Sequence, residues 1–179
     1  MVIALAGRRI DAPSSSTPRF PLENVALVRA RIRELFEARG ASALVSSAAC
    51  GADLLALTEG GAMGIERCVV LPFHRDRFRE TSVVDRPGDW GVLYDRVLDE
   101  VEARGILVVL DSVPDDADAY AAVNRTILDQ AAVLAAQLRV VAAAALVWDG
   151  SPRGGDDLTK AFGDEARQRG LEVFEVMTI

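Results

Sequence analysis

Along this chain, short continuous apolar runs alternate with longer stretches in which apolar residues recur every three or four positions. Val2 to Ala6 is apolar throughout, stops at Gly7, and predicts a buried strand. Residues 11–21 hold three Pro and four Ser or Thr and predict a loop. From Leu22 to Arg39, the positions Val25, Val28, Ile32, Leu35 and Phe36 keep helical spacing, and Gly40 stands where a C-cap glycine belongs. Ala43 to Ser46 reads as a second strand, running into the small-residue turn Ser47 to Asp53 and a helix through Met63. Arg67 to Pro72 predicts a third strand, residues 73–90 a polar irregular stretch, and Trp90 to Arg104 a helix. Ile106 to Leu110 is a fourth strand, Tyr120 to Arg139 a long Ala-rich helix, and Val140 to Trp148 a fifth strand. The turn Asp149 to Gly155 leads into a helix from about Asp157 to Arg169, and Glu172 to Met177 closes the pattern as a sixth strand.

Strands that are apolar without alternation have both faces covered. Regular strand–helix alternation means right-handed crossovers and a parallel sheet between two helical layers. The expected fold is therefore α/β: a three-layer Rossmann-like fold with a mostly parallel sheet of about six strands. No repeat or linker divides the pattern, so residues 1–179 are expected to form one domain.

Composition narrows the chemistry. The 179 residues carry 20 basic and 27 acidic side chains, a formal net charge of −7, with half the residues hydrophobic. His74 is the one histidine, and Cys50 and Cys68 are the two cysteines. A zinc site of several His and Cys ligands, a disulfide framework and a catalytic triad independent of His74 all lack residues. No metal and no cofactor is expected. An acidic chain argues against nucleic acid as a partner, because such affinity comes largely from cations on phosphates. Every basic residue but Lys160 is Arg, whose planar fork suits phosphate and carboxylate. No apolar stretch is long enough to span a membrane, and no signal peptide pattern opens the chain, so a cytoplasmic protein is expected.

In an open parallel sheet, ligands bind beyond the carboxyl ends of the strands, where strand order reverses. Three strand ends are unusual. The first reads Gly7-Arg8-Arg9. The second runs from Ser46 and Ser47 through Gly51 to Asp53. The third runs from Asp149 and Gly150 through Arg153, Gly154 and Gly155 to Asp156. Small side chains admit a ligand to the backbone, and free N–H groups at a helix start attract an anion. Arg8, Arg9 and Arg153 are placed to add charge-assisted hydrogen bonds. None of these loops is a Walker A or G-x-G-x-x-G motif.

At these strand ends the chain resembles the SLOG superfamily, the Rossmann-like group that includes the DNA-processing protein A domain, the cytokinin-activating LOG proteins and nucleotide-sensing domains of bacterial signalling proteins. Ala6 to Arg9, Ser46 to Asp53, Val70 to Phe73, Trp90 with Tyr94, Ala122 to Asn124, and Val147 to Gly155 carry the resemblance in order along nearly the whole chain. It implies a site for a nucleotide or nucleotide-derived ligand. Gly7 and Arg8 would line it, Ser47, Gly51 and Asp53 would form the central loop, Gly154 and Gly155 the phosphate loop, and Asn124 would approach from a helix. The chain departs from the LOG motif Pro-Gly-Gly-x-Gly-Thr-x-x-Glu. Its loop reads Arg153 to Thr159, without the Gly-Thr pair or the glutamate. Asp156 and Asp157 either replace that carboxylate or serve as N-terminal helix acids.

Two functions follow, beside a third, a DNA-binding module like the DNA-processing domain, which the charge of −7 opposes unless an oligomer gathers its arginines on one face. One is binding or sensing of a nucleotide-derived small molecule without catalysis, which the missing acid/base constellation favours and which needs a separate effector protein. The other is cleavage or transfer of an N-glycosidic bond, with Asp53, Glu59 or Asp156 as the candidate catalytic carboxylates. His74 lies in a charged loop and reads as solvated, with Arg75 to Glu80 as a lid. The helix Tyr120 to Arg139 is apolar nearly all round and is expected to be buried on more than one side, in a homodimer.

Overall fold

The computed structural model describes residues 1–112 and 118–179. Six strands form one sheet: β1 (Val2–Gly7), β2 (Ala43–Ser46), β3 (Glu66–Leu71), β4 (Ile106–Val109), β5 (Ala142–Trp148) and β6 (Glu172–Met177). Their order is β4-β3-β2-β1-β5-β6, and every neighbouring pair is parallel. The helices are α1 (Val25–Arg39), α2 (Ala52–Ala62), α3 (Arg75–Ser82), α4 (Trp90–Arg104), α5 (Ala119–Leu138) and α6 (Leu158–Gln168). The fold is thus the α/β Rossmann-like sandwich that the alternation predicts.

Period-two alternation divides each strand between two cores. Ile3 and Leu5 of β1 join Val28, Ile32 and Phe36 of α1, Leu54, Leu55 and Leu57 of α2, and Val97, Leu98 and Val101 of α4. Val2, Ala4 and Ala6 face the other way, toward Val123, Ile127, Leu128 and Leu134 of α5 and Phe162 and Ala166 of α6. The chain therefore winds outward from β1 to β4 with its helices on one face, then crosses back through α5 on the other face. The reversal of direction falls between β1 and β5, which makes their carboxyl ends the switch point.

Two expectations change. Residues 73–90 are not wholly irregular, because Arg75–Ser82 forms α3. Its one apolar anchor, Phe78, is buried against Tyr94 and Phe73. Arg75 pairs with Asp99 and Glu102, and Arg79 with Asp95, so ion pairs fasten α3 to α4. The second is limited to the single chain, in which α5 buries one face and leaves the other open to the partner copy that was expected. Arg125, Asp129, Ala132, Val133 and Ala136 lie on its exposed side.

Among the described residues no helix is long and apolar enough to cross a membrane, and no group of three His, Cys, Asp or Glu side chains is placed to hold a metal.

Candidate ligand-binding site at the carboxyl edge of the sheet

A cavity of about 280 Å3 opens beyond the carboxyl ends of β1 and β2. Its floor is Leu5, Ala6 and Gly7 of β1 with Ser47 and Ala49 after β2. One wall comes from Tyr120, Val123, Asn124 and Ile127 of α5, and another from Phe78 and Ser82 of α3. Leu158 and Thr159 of α6 close the side toward β5, while Arg9 and Asp53 supply the charges. Mostly apolar walls with a few convergent polar groups are the usual make-up of a small-molecule site.

The backbone around the cavity is closely fitted. A Cβ on Gly7 would stand 2.3 Å from the Ala52 Cβ and 2.8 Å from the Val147 carbonyl oxygen. Gly51 has φ +99°, and a Cβ there would meet the Arg8 carbonyl at 2.8 Å. These two glycines are needed for the packing of β1, β5 and the start of α2 against one another. Gly7 also lines the cavity, whereas Gly51 sits behind it.

Arg8 is corrected as a ligand contact, because the fold uses its guanidinium internally. It is 3% exposed. Its Nη1 and Nη2 donate to Asp157 Oδ1 and Oδ2, each at 2.7 Å, and its Nε donates to Asp149 Oδ1 at 2.9 Å. Nη2 also reaches the Ser151 carbonyl at 2.7 Å. Arg19 completes the set, donating to Asp149 Oδ2 at 2.7 Å. Burial alone would raise the Asp157 carboxyl. The hydrogen bond from Arg8, the backbone N–H groups of Arg153 and Lys160, and the Arg8 charge outweigh it and hold the group at about 2. Asp149 is likewise engaged within the protein rather than facing a ligand.

The start of α6 is not free for an anion. Asp157 Oδ1 accepts from the N–H groups of Thr159 and Lys160 at 3.0 and 3.1 Å, so the chain caps this helix itself. At α2, the Ala52 N–H is taken by the Arg8 carbonyl and the Leu54 N–H by the Ala49 carbonyl. Gly150, Gly154 and Gly155 are exposed and line none of the cavities at this edge. Ser46 is buried and spends its hydroxyl on the Ser47 carbonyl at 2.8 Å. Asn124 lines the cavity while its amide donates to the Leu158 carbonyl at 2.9 Å, joining α5 to α6.

Of the candidate catalytic carboxylates, only Asp53 reaches the cavity. Burial pushes it up to about 7 against the lowering effects of the Ala49 N–H and Arg9, so it exchanges its proton near neutrality. Glu59 lies two turns further along α2 and is paired with Arg29 and Arg33 of α1 at 3.1 and 3.4 Å. It fastens two helices together and is corrected as a site residue. Asp156 is exposed and borders a small neighbouring recess with Arg153 and Arg9. His74 is exposed and caps α3 by accepting from the Asp76 N–H.

Several lining residues have no counterpart among the sequence candidates: Phe78, Ser82, Tyr120, Ile127, Leu158 and Thr159. Tyr120 O–H and Ser82 Oγ lie 3.0 Å apart across the cavity wall. Their sequence signal is weak, because each reads as an ordinary core or cap position of its helix.

No family model matches this chain, and no curated protein sequence matches it. Solved structures do. DNA processing protein A from Streptococcus pneumoniae superposes with a TM-score of 0.56 at 16% identity, over 97% of this chain and 49% of that one. The chain thus spans about half the length of that protein. DNA processing protein A from Helicobacter pylori, described for its single-stranded DNA binding mode, gives 0.46 and 14%, over 97% of this chain and 74% of that one. The chain shares the overall fold of DNA processing protein A, in line with the resemblance read from its strand ends. The expectation against nucleic acid is corrected: the fold is shared with a DNA processing protein, so an acidic composition does not exclude such a partner. A whole-chain charge of −7 does not describe a surface where Arg9, Arg19, Arg86 and Arg153 stand together.

Proposed function

We propose that the cavity at the carboxyl edge binds a nucleotide-derived ligand. The observation that carries this reading is an apolar cavity at the switch point of the sheet, bordered by two aromatic rings and by Arg9. Phe78 and Tyr120 offer flat apolar surface for a base. Ser47, Asn124 and Thr159 offer hydrogen-bonding groups for its edge or its sugar, and Arg9 marks the direction of a phosphate. At about 280 Å3 the cavity falls just under the ~300–1000 Å3 usual for such sites, which suits one base with its sugar. A free nucleotide and a nucleotide within single-stranded DNA share this chemistry.

A second reading is favoured by Asp53. A carboxyl group with a proton affinity near neutrality, set in an apolar cavity, is suited to general acid or base work. Placed beside the sugar of the same ligand, it would serve cleavage of the N-glycosidic bond.

One experiment tests both. The protein is incubated with nucleotides, cyclic nucleotides, ADP-ribose derivatives and a single-stranded oligonucleotide, while melting temperature and products are followed together. A rise in melting temperature with ligand intact, lost in Tyr120→Ala, is the expected result. Release of free base, lost in Asp53→Asn, establishes the hydrolytic reading. No shift with any member of the panel overturns the function proposed here.

A further inference from the structure

Beside the cavity lies a second recess of about 490 Å3, and its lining is of a different kind. Four arginines border it: Arg9 after β1, Arg19 before α1, Arg86 in the α3–α4 connection and Arg153 after β5. Residues 14–17, Ser-Ser-Ser-Thr, form its rim. Two carboxylates belong to the same neighbourhood. Asp11 is turned inward, where its Oδ2 accepts from the N–H groups of Arg19 and Phe20 at 2.9 and 3.0 Å. Asp85 is paired with Arg9 and stands 4.0 Å from Arg86.

The cations are not all satisfied by these acids. The Nε groups of Arg9 and Arg86 are buried without a hydrogen-bond acceptor. The Arg153 side chain forms no hydrogen bond or salt bridge among the described residues, and only its backbone N–H is engaged, with Asp157 at 2.7 Å. Burial first, and then the charges of Arg8 and Arg19, push the Arg153 guanidinium below its ordinary value, against Asp157 and Asp11. Hydroxyl groups at the rim, the Arg153 guanidinium and the remaining donors of Arg9 and Arg86 make a lining that accepts an anion with several oxygens. Arg9 belongs to both hollows.

We propose that this recess is a phosphate site, holding the phosphates of a nucleotide whose base and sugar occupy the apolar cavity. It rests on the function proposed above and names the ligand class more closely: a nucleotide carrying more than one phosphate. Arg86 and Arg153 hold the outer phosphates, Arg9 the one nearest the sugar, and the hydroxyls of Ser14, Ser16 and Thr17 donate from the rim.

The test uses the full chain, as wild type, as the double variant Arg86→Ala/Arg153→Ala, and as Arg104→Ala, which removes one charge at the opposite edge of the sheet. Tripolyphosphate, the four common nucleosides, their 5′-triphosphates and an oligothymidylate are titrated against each by calorimetry. Tripolyphosphate is expected to bind wild type and Arg104→Ala alike, and the double variant at least about tenfold more weakly. Triphosphates are expected to bind more tightly than nucleosides in wild type, with that advantage gone in the double variant. Absence of tripolyphosphate binding overturns the proposal. So does binding unchanged by the double substitution, or binding confined to the oligothymidylate. If tripolyphosphate binds as expected but nucleosides do not and triphosphates bind no more tightly than tripolyphosphate, the phosphate site stands and the nucleotide cavity fails.

Discussion

Arg8 and Asp157 meet through two parallel N–H···O contacts of 2.7 Å, although 149 residues separate them. The pair joins the end of β1 to the start of α6 at the point where the sheet reverses direction. The residue that looks most like a ligand contact in the sequence is thus spent on holding the floor of the site in place.

Arg8→Ala should therefore destabilise the protein without acting on the ligand directly. Removing one partner of a buried pair leaves an unpaired charge and costs about 3–5 kcal/mol. Asp149 and Asp157 each lose a charged donor at once, Asp149 keeping Arg19 and Asp157 keeping only backbone N–H groups. Arg8→Lys keeps the charge but loses the fork, and should fall between wild type and alanine. Urea denaturation measures both, and a loss for Arg8→Ala below about 1 kcal/mol would show the network to be dispensable.

The same network fixes a response to acid. Asp157 is held at about 2, below its ordinary 3.8. Its contribution is present above pH 4 and disappears as the pH falls toward 2, and amounts to about 2 kcal/mol. Asp157→Asn should show a flatter stability profile between pH 4 and 2 than wild type. Equal slopes would contradict the assignment.

Asp53 runs in the opposite direction. Its folded value of about 7 lies above its ordinary 3.8, so the folded protein retains a proton that the unfolded chain releases. Stability from this group falls as the pH rises from about 4 to 7 and is level above. Asp53→Asn, neutral at every pH, should gain stability relative to wild type at pH 8 and gain little at pH 4. Denaturation midpoints at the two pH values decide it, and an equal effect at both would refute the raised proton affinity.

Two glycines that look alike in the sequence should behave differently. Gly7→Ala would push a methyl group into the Ala52 side chain and the Val147 carbonyl, overpacking that costs about 1–3 kcal/mol or more. Around Gly155 nothing lies within 4 Å of where a Cβ would sit, so Gly155→Ala should change stability by no more than about 0.5 kcal/mol. Paired melting curves of the two variants check this, and similar losses in both would be inconsistent with the packing described.

The architecture was legible because parallel strands covered on both faces leave an unbroken apolar record, as in Val2–Ala6 and Ala142–Trp148. The helix α3 was not, since its single buried ring, Phe78, gives no period and its hold on α4 comes from ion pairs that the sequence does not pair up. Ser47 and Asp53, read from the turn after β2, and Asn124, implied by the resemblance, line the cavity. Arg8 was misjudged because its partners, Asp149 and Asp157, are remote in sequence and only the parallel pairing of β1 with β5 brings them near. Arg19 and Arg86 were overlooked for a related reason: one follows a Ser/Pro loop, the other sits in a connection, and neither adjoins a strand end.

The central position of β1 also sets an order of events in time. Val2 pairs with Ala43 on one side and with Ala142 on the other, so β1 completes its pairing only when a strand made much later in synthesis docks. Until then its second edge is open, Arg8 has no acceptor, and the floor of the cavity does not exist. Contacts so distant along the chain slow folding and leave an edge exposed to other chains. Formation of the cavity is therefore tied to a long-range event, the docking of β5 onto β1.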